Sequence, residues 1–173
     1  MSAKRKRKNI RILFVCTGNT CRSPLAEALL RERIGSEELG HRMVVSSAGL
    51  MAIEGSPASN LAVEVATENG LDLTSHRSRQ LTEKILSNSD LVIGMQPSHL
   101  FPLQPLQQAG KLELHILGEY CTISSEARPD IPDPFGGNRA EYERAFTTIA
   151  RCVDGLVEHL RIELGADSGK RSK

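Results

Sequence analysis

The chain has 173 residues and a formal charge of +1 at pH 7, enough length for one domain with a sizeable core. Its charge is uneven: without Lys4, Arg5, Lys6, Arg7 and Lys8, 17 basic residues face 21 acidic ones, which argues against a nucleic-acid-binding body and leaves residues 1–9 as a solvated, disordered basic tail. No run nears the roughly 18 apolar residues of a membrane span, and the N-terminus lacks the apolar core of a signal peptide, so neither a membrane nor a secretory role is expected.

In chain order, Ile10-Arg11-Ile12-Leu13-Phe14-Val15 is short, β-rich and mostly apolar, the pattern of a buried strand. Cys16-Thr17-Gly18-Asn19-Thr20-Cys21-Arg22-Ser23 follows as a tight polar loop. Ser23 is placed to cap and Pro24 to open a helix that runs to about Arg33, with Gly35 as its stop. Met43 to Ser47, closed by Ala48-Gly49, supplies a second strand. A helix opens at Pro57 and ends at Asn69-Gly70, and a short one over Leu81–Leu86 has Thr82 as its cap. Asp90 to Met95 and Leu112 to Leu117 are further buried strands; the segment between them is helical in part, broken by Pro102 and Pro105. A closing helix spans about Asn138 to Leu164, and 165–173 reads as a loose end. Strands alternating with helices predict a three-layer α/β/α fold around a parallel sheet. Ligands in such folds bind beyond the carboxyl ends of the strands, where the Cys16 loop leaves the first one.

The loop has the makings of an anion site. Backbone N–H groups and a helix N-terminus favour negative charge, and Arg22 adds a planar fork of donors that suits phosphate. Gly18 lets the backbone turn toward the anion, while Asn19 tolerates a left-handed conformation and can brace the loop backbone. These same groups favour Cys16 as a thiolate nucleophile, and Ser23 can donate to its sulfur. Two buried cysteines in a structural turn are the plainer alternative. Cys-x4-Cys without a nearby His does not fit zinc, and the loop is not a nucleotide-binding Gly-x4-Gly-Lys pattern; no metal is expected. A thiolate attacking phosphorus needs an acid for the leaving group. Asp130, Asp133 and Asp154 are the late candidates, and Asp133 stands out in Pro132-Asp133-Pro134-Phe135-Gly136-Gly137, where prolines stiffen the loop and Phe135 offers an apolar wall. Cys121 and Cys152 are expected to be reduced core residues of a cytoplasmic protein.

Cys16 to Pro24, Ser46-Ser47-Ala48-Gly49, His76-Arg77-Ser78-Arg79-Gln80 and Asp133-Pro134-Phe135 together resemble the low-molecular-weight protein tyrosine phosphatases, in order from about Ile10 to Leu164. The resemblance implies a four-stranded parallel sheet and a cofactor-free, two-step reaction on phosphorylated protein side chains. In it Cys16 forms a cysteinyl-phosphate, Arg22 and the amides of Thr17, Gly18, Asn19, Thr20 and Cys21 stabilise the transition state, and Asp133 is acid and then base. It further implies a supporting network of Asn19, Ser23, Ser47 and His76, and a Cys21 able to pair with Cys16 on oxidation. Thr20, where many tyrosine-specific members carry a bulky aliphatic residue, and Phe135, where many carry Tyr, resemble the bacterial branch that includes protein-arginine phosphatases. Two rival functions are arsenate reduction on the same fold, which needs further cysteines near the nucleophile, and a non-catalytic anion-binding or redox-sensing module.

Overall fold

The computed structural model describes residues 9–35, 38–110, 112–121 and 130–169. The basic tail of residues 1–8 and the last residues, 170–173, lie outside them. Four strands, β1 (Ile10–Cys16), β2 (Met43–Gly49), β3 (Leu91–Gly94) and β4 (Glu113–Ile116), form one parallel sheet in the order β2-β1-β3-β4. Among the described residues five α-helices accompany it: α1 (Arg22–Gly35), α2 (Asn60–Glu68), α3 (Glu83–Ser87), α4 (Gln104–Gln108) and α5 (Arg139–Gly169). The expected α/β fold with a four-stranded parallel sheet is what the chain adopts.

The two central strands are buried because both their faces are covered. On one face Ile12, Phe14 and Ile93 pack with Leu25 and Leu29 of α1 and with Ile149, Val153 and Leu156 of α5. On the other, Leu13, Val15 and Val92 pack with Leu86, Leu100, Leu103 and Leu114. Side chains that alternate between faces at period 2 are thus apolar in both directions, which is why the strands read as nearly continuous apolar runs.

This strand order matters for the site. The chain leaves β1, crosses to β2 on one side, and then returns to β3 on the other, so the carboxyl ends of β1 and β3 diverge into a crevice. Cys16 is the last residue of β1, paired in register with Gly49. The chain after β3 turns back beside it, so two loops meet where the sheet opens.

Several boundaries depart from the sequence reading. Helix α1 begins at Arg22, and Ser23 does not cap it; the Ser23 hydroxyl is drawn instead toward Cys16 and Asn19. Helix α2 starts at Asn60 with Ser59 before it, three residues after Pro57. Thr82 does cap α3, accepting from Ile85 N–H at 3.3 Å. Helix α5 continues to Gly169, so the expected loose end from Gly165 is helical for its first five residues; a glycine inside a helix costs only about 1 kcal/mol and does not stop it. The cysteines bring the largest correction. Cys121 and Cys152 are joined by a disulfide, with their Cα atoms 4.0 Å apart. The 3₁₀ turn Leu117–Tyr120 packs on α5 and delivers Cys121 to a helix position 31 residues away in sequence, a proximity that spacing alone does not show.

Candidate active site

The loop after β1 curls around the sulfur of Cys16, which is 2 % exposed. Asn19 N–H donates to Cys16 Sγ at 3.3 Å, and the Ser23 hydroxyl lies 3.0 Å from the same sulfur. The turn depends on Asn19, whose φ of +54° is left-handed and rare outside glycine. Its fully buried side chain explains how that conformation is held. Asn19 Nδ2 donates to Ser23 Oγ and to Ser47 Oγ, both at 2.9 Å, while its Oδ1 accepts from Arg79 N–H at 2.9 Å. Asn19 therefore braces the loop against neighbouring segments and not, as its residue type suggested, against the loop's own backbone. His76 Nε2 meets the Asn19 carbonyl at 2.8 Å. Asn19, Ser23, Ser47 and His76 are brought together as one network, which Glu27 extends through the Ser47 hydroxyl.

Gly49 is required for this packing. A Cβ there would stand 2.6 Å from the Thr17 carbonyl oxygen and 2.9 Å from Asn19 N, distances that real Cβ atoms do not show.

Arg22 opens α1 and reaches back across the mouth of the loop, 2 % exposed. Its Nη1 donates to Gln96 Oε1 and to the Ile131 carbonyl, both at 3.0 Å, and its Nη2 pairs with Asp133 Oδ2 at 2.6 Å. A buried guanidinium without partners would cost several kcal/mol; these three contacts hold the fork beside the cavity that Cys16 lines. Asp133 is half exposed, and its Oδ1 accepts from Phe135 N–H at 3.2 Å, a turn that fixes the carboxylate. Of the other late acids, Asp154 is engaged by Arg33 at 2.8 Å in the last turn of α1, and only Asp133 meets the loop arginine.

A cavity of about 270 Å³ rises from the loop. Cys16, Arg22, Thr20 and Asp133 line its floor and flank, and Met51, Ile53 and Phe135 its rim. These three apolar side chains are 76, 78 and 72 % exposed, the state expected of a wall waiting for a flat partner. A larger groove of about 510 Å³ is lined by Glu27, Arg31, His76, Arg77 and Arg79 among others; it mixes both charge signs and has no cysteine in its lining, so chemistry and not size marks the site. Cys21 is also buried. Its sulfur lies 3.2 Å from Ser59 Oγ and 3.3 Å from Tyr142 Oη, and Thr20 Oγ1 is 3.6 Å away. Burial, followed by the hydrogen bond to Cys21, pushes Tyr142 up to about 12. Among the described residues, no cluster of His, Cys, Asp or Glu is arranged to hold a metal.

Sequence reasoning missed Gln96, His99, Met51, Ile53, Glu27 and Tyr142, and gave Arg79, within the His76–Gln80 segment, no role. The six carry no local motif; each arrives from another element, and for Gln96 the available signal was its position just past the third strand, where this fold class places ligand-contacting residues.

A nucleophile loop at the end of the first strand, a buried arginine and a facing aspartate define a phosphate-transferring cysteine enzyme. Residues 11–166 match the family model described as low molecular weight phosphotyrosine protein phosphatase. A probable low-molecular-weight protein-tyrosine-phosphatase, EpsP of Ralstonia nicotianae, is 37 % identical over 150 residues, covering 87 % of this chain and 95 % of that protein. The YwlE arginine phosphatase from Geobacillus stearothermophilus superposes with a TM-score of 0.74 at 36 % identity, covering 89 % of this chain and 94 % of that one. The low-molecular-weight protein tyrosine phosphatase from T. tengcongensis does so with a TM-score of 0.73 at 36 % identity, covering 87 and 99 %. The chain belongs to the low-molecular-weight phosphotyrosine protein phosphatase family, whose members are phosphoric monoester hydrolases.

Proposed function

We propose that the chain removes phosphate from phosphorylated protein side chains through a cysteinyl-phosphate on Cys16. The carrying observation is that Cys16 Sγ meets Asn19 N–H at 3.3 Å and Ser23 Oγ at 3.0 Å, and that Arg22 and Asp133, paired with each other, line the same cavity. In the first step the Cys16 thiolate attacks phosphorus. Phosphate oxygens take the amides of Thr17, Gly18, Asn19, Thr20 and Cys21 and the edge of the Arg22 fork, and the leaving group departs with a proton from Asp133. In the second, Asp133 takes a proton from water, water attacks the phosphocysteine, and inorganic phosphate leaves with Cys16 restored. Ser23 donates to the departing thiolate. No metal or cofactor enters the sequence of bonds made and broken.

The substrate side chain is read from the middle of the loop. Thr20 lines the cavity, and a hydroxyl-bearing side chain there suits a guanidinium beside the phosphate, so phosphoarginine is the favoured substrate. Phosphotyrosine is the second reading, supported by the apolar rim of Met51, Ile53 and Phe135, which suits a ring. The arsenate-reduction alternative would need Cys121 and Cys152 as free thiols, one attacking the arsenic-bearing Cys16 to release arsenite and form a disulfide and the other passing that disulfide outward, yet they are joined to each other against α5. No helix among the described residues is long and apolar enough to cross a membrane. We place the enzyme in the cytoplasm, where phosphorylated proteins are its partners; nucleic acid is not expected to be one. That placement has one demand, since a reducing cytosol would open the Cys121–Cys152 link.

The test compares phosphoarginine and phosphotyrosine peptides. Cys16→Ser should lose turnover of both by roughly 10⁴-fold or more, and retained hydrolysis would end the reading. Thr20→Ile should move preference toward phosphotyrosine; an unmoved ratio would remove the argument for phosphoarginine.

A further inference from the structure

The phosphate loop is braced on two sides. Asn19, Ser47 and His76 hold the side toward β2. The other side begins at Thr17, directly after the nucleophile, and has two holds of its own. The Thr17 carbonyl accepts from Met51 N–H at 2.9 Å, and its hydroxyl lies 3.2 Å from His99 Nε2.

His99 stands in the 3₁₀ turn Pro97–His99 that follows β3, and it is 3 % exposed. Its Nδ1 accepts from Gln96 N–H at 3.1 Å. A ring nitrogen that accepts carries no hydrogen, so the hydrogen of the neutral imidazole is on Nε2, where it is donated to Thr17 Oγ1. Burial, then the positive charge of Arg22, push His99 down to about 4, which keeps the ring neutral and this tautomer intact at neutral pH. A histidine that only capped its own turn would be satisfied by the Gln96 contact. The Nε2 bond leaves the turn and reaches the residue that follows Cys16 and lines the cavity with it, and Gln96 from the same turn reaches Arg22 Nη1 at 3.0 Å.

We propose that His99 is a positioning residue of the phosphate loop, fixing Thr17 through its Nε2–H so that the Thr17 amide is held beside Cys16 for the transferring phosphoryl group. The proposal rests on the phosphatase reading given above. His99 touches no reacting atom; its effect comes through the order it imposes on a donor that must not reorganise during the reaction. Loss of a direct donor of this kind costs about 10²–10³ in rate, so loss of its brace should cost about 10- to 100-fold.

Two substitutions separate the two ring nitrogens. In His99→Asn the side-chain oxygen can stand near Nδ1 and accept from Gln96, but the amide is too short to reach Thr17. In His99→Gln the amide nitrogen can stand near Nε2 and donate to Thr17. With para-nitrophenyl phosphate as substrate and inorganic phosphate as competitive ligand, His99→Asn should lower kcat/KM by about 10- to 100-fold and weaken phosphate binding, and His99→Gln should restore most of both. Thr17→Val should reproduce the His99→Asn loss, and the two together should be no worse than either alone. Unchanged kcat/KM and phosphate affinity in His99→Asn, or losses that multiply in the double variant, would overturn the proposal. If His99→Asn does not fold, Thr17→Val, at an exposed position, carries the same comparison against His99→Gln. A wild-type chain that turns over no phosphomonoester would defeat the phosphatase reading, and phosphate binding measured by calorimetry across the same variants would still decide the positioning role.

Discussion

The two cysteine pairs of this chain both lie in the interior, Cys16, Cys21 and Cys152 buried and Cys121 partly so, and yet are chemically unlike. Cys16 and Cys21 are free thiols set among donors: loop amide and Ser23 hydroxyl around the first, Ser59 and Tyr142 hydroxyls around the second. Cys121 and Cys152 are joined to each other, with Cys152 fully buried in the apolar core of α5. Burial therefore does not set the fate of a cysteine here. What sets it is whether the surrounding element presents hydrogen-bond donors to sulfur, as a helix N-terminus and its loop do, or only another sulfur.

The sharpest way to break that contrast is to remove the acid that only one pair serves. Asp133→Asn should cut kcat by about 10²–10⁴-fold while phosphate still binds, whereas Cys152→Ala, measured at a temperature where it is folded, should leave turnover within a few-fold. An Asp133→Asn enzyme with wild-type kcat would move the acid role elsewhere, Asp130 first. A smaller effect is expected from the second pair, and on stability. Mild reductant should open Cys121–Cys152 and lower unfolding free energy by about 3–4 kcal/mol, the entropy of a closed loop of this length, without loss of initial rate; reductant that left denaturant stability unchanged would show the link to be idle. Smallest is the pH effect of the buried His99. An unfolded histidine takes a proton near 6.5, but the folded one does so only near 4. Between those values the unfolded state binds more protons, so stability falls as pH drops through the window, by up to about 3 kcal/mol. His99→Gln should flatten that slope in denaturant titrations, and an unaltered slope would assign it to other groups.

Much of this molecule was readable in its residues because the signals were local. The alternation of buried strands and helices, the loop between an apolar run and Pro24, and Asp133 between two prolines each declare themselves within a few positions. What escaped was what depends on distance in the chain. Gln96 is an ordinary polar residue until Arg22, 74 positions earlier, folds against it. Ser23 looked like a cap because capping is its commonest local use, but a sulfur and an amide on the same loop compete for its hydroxyl and win. Cys121 and Cys152 are separated by 31 residues, and only the packing of a 3₁₀ turn on α5 makes them neighbours. Met51 and Ile53 drew no role from the sequence because nothing local distinguishes a rim from a surface.

Gly49 has a consequence for anyone who would move this chemistry elsewhere. The eight residues from Cys16 to Ser23 look self-sufficient, a cassette that could be spliced between any strand and helix. Their curl, however, presses on the naked backbone of the neighbouring strand, at distances where even a methyl group would collide with Thr17 and Asn19. A transplant must therefore carry two parallel strands in this register, the second ending in glycine. The smallest portable unit is a piece of sheet.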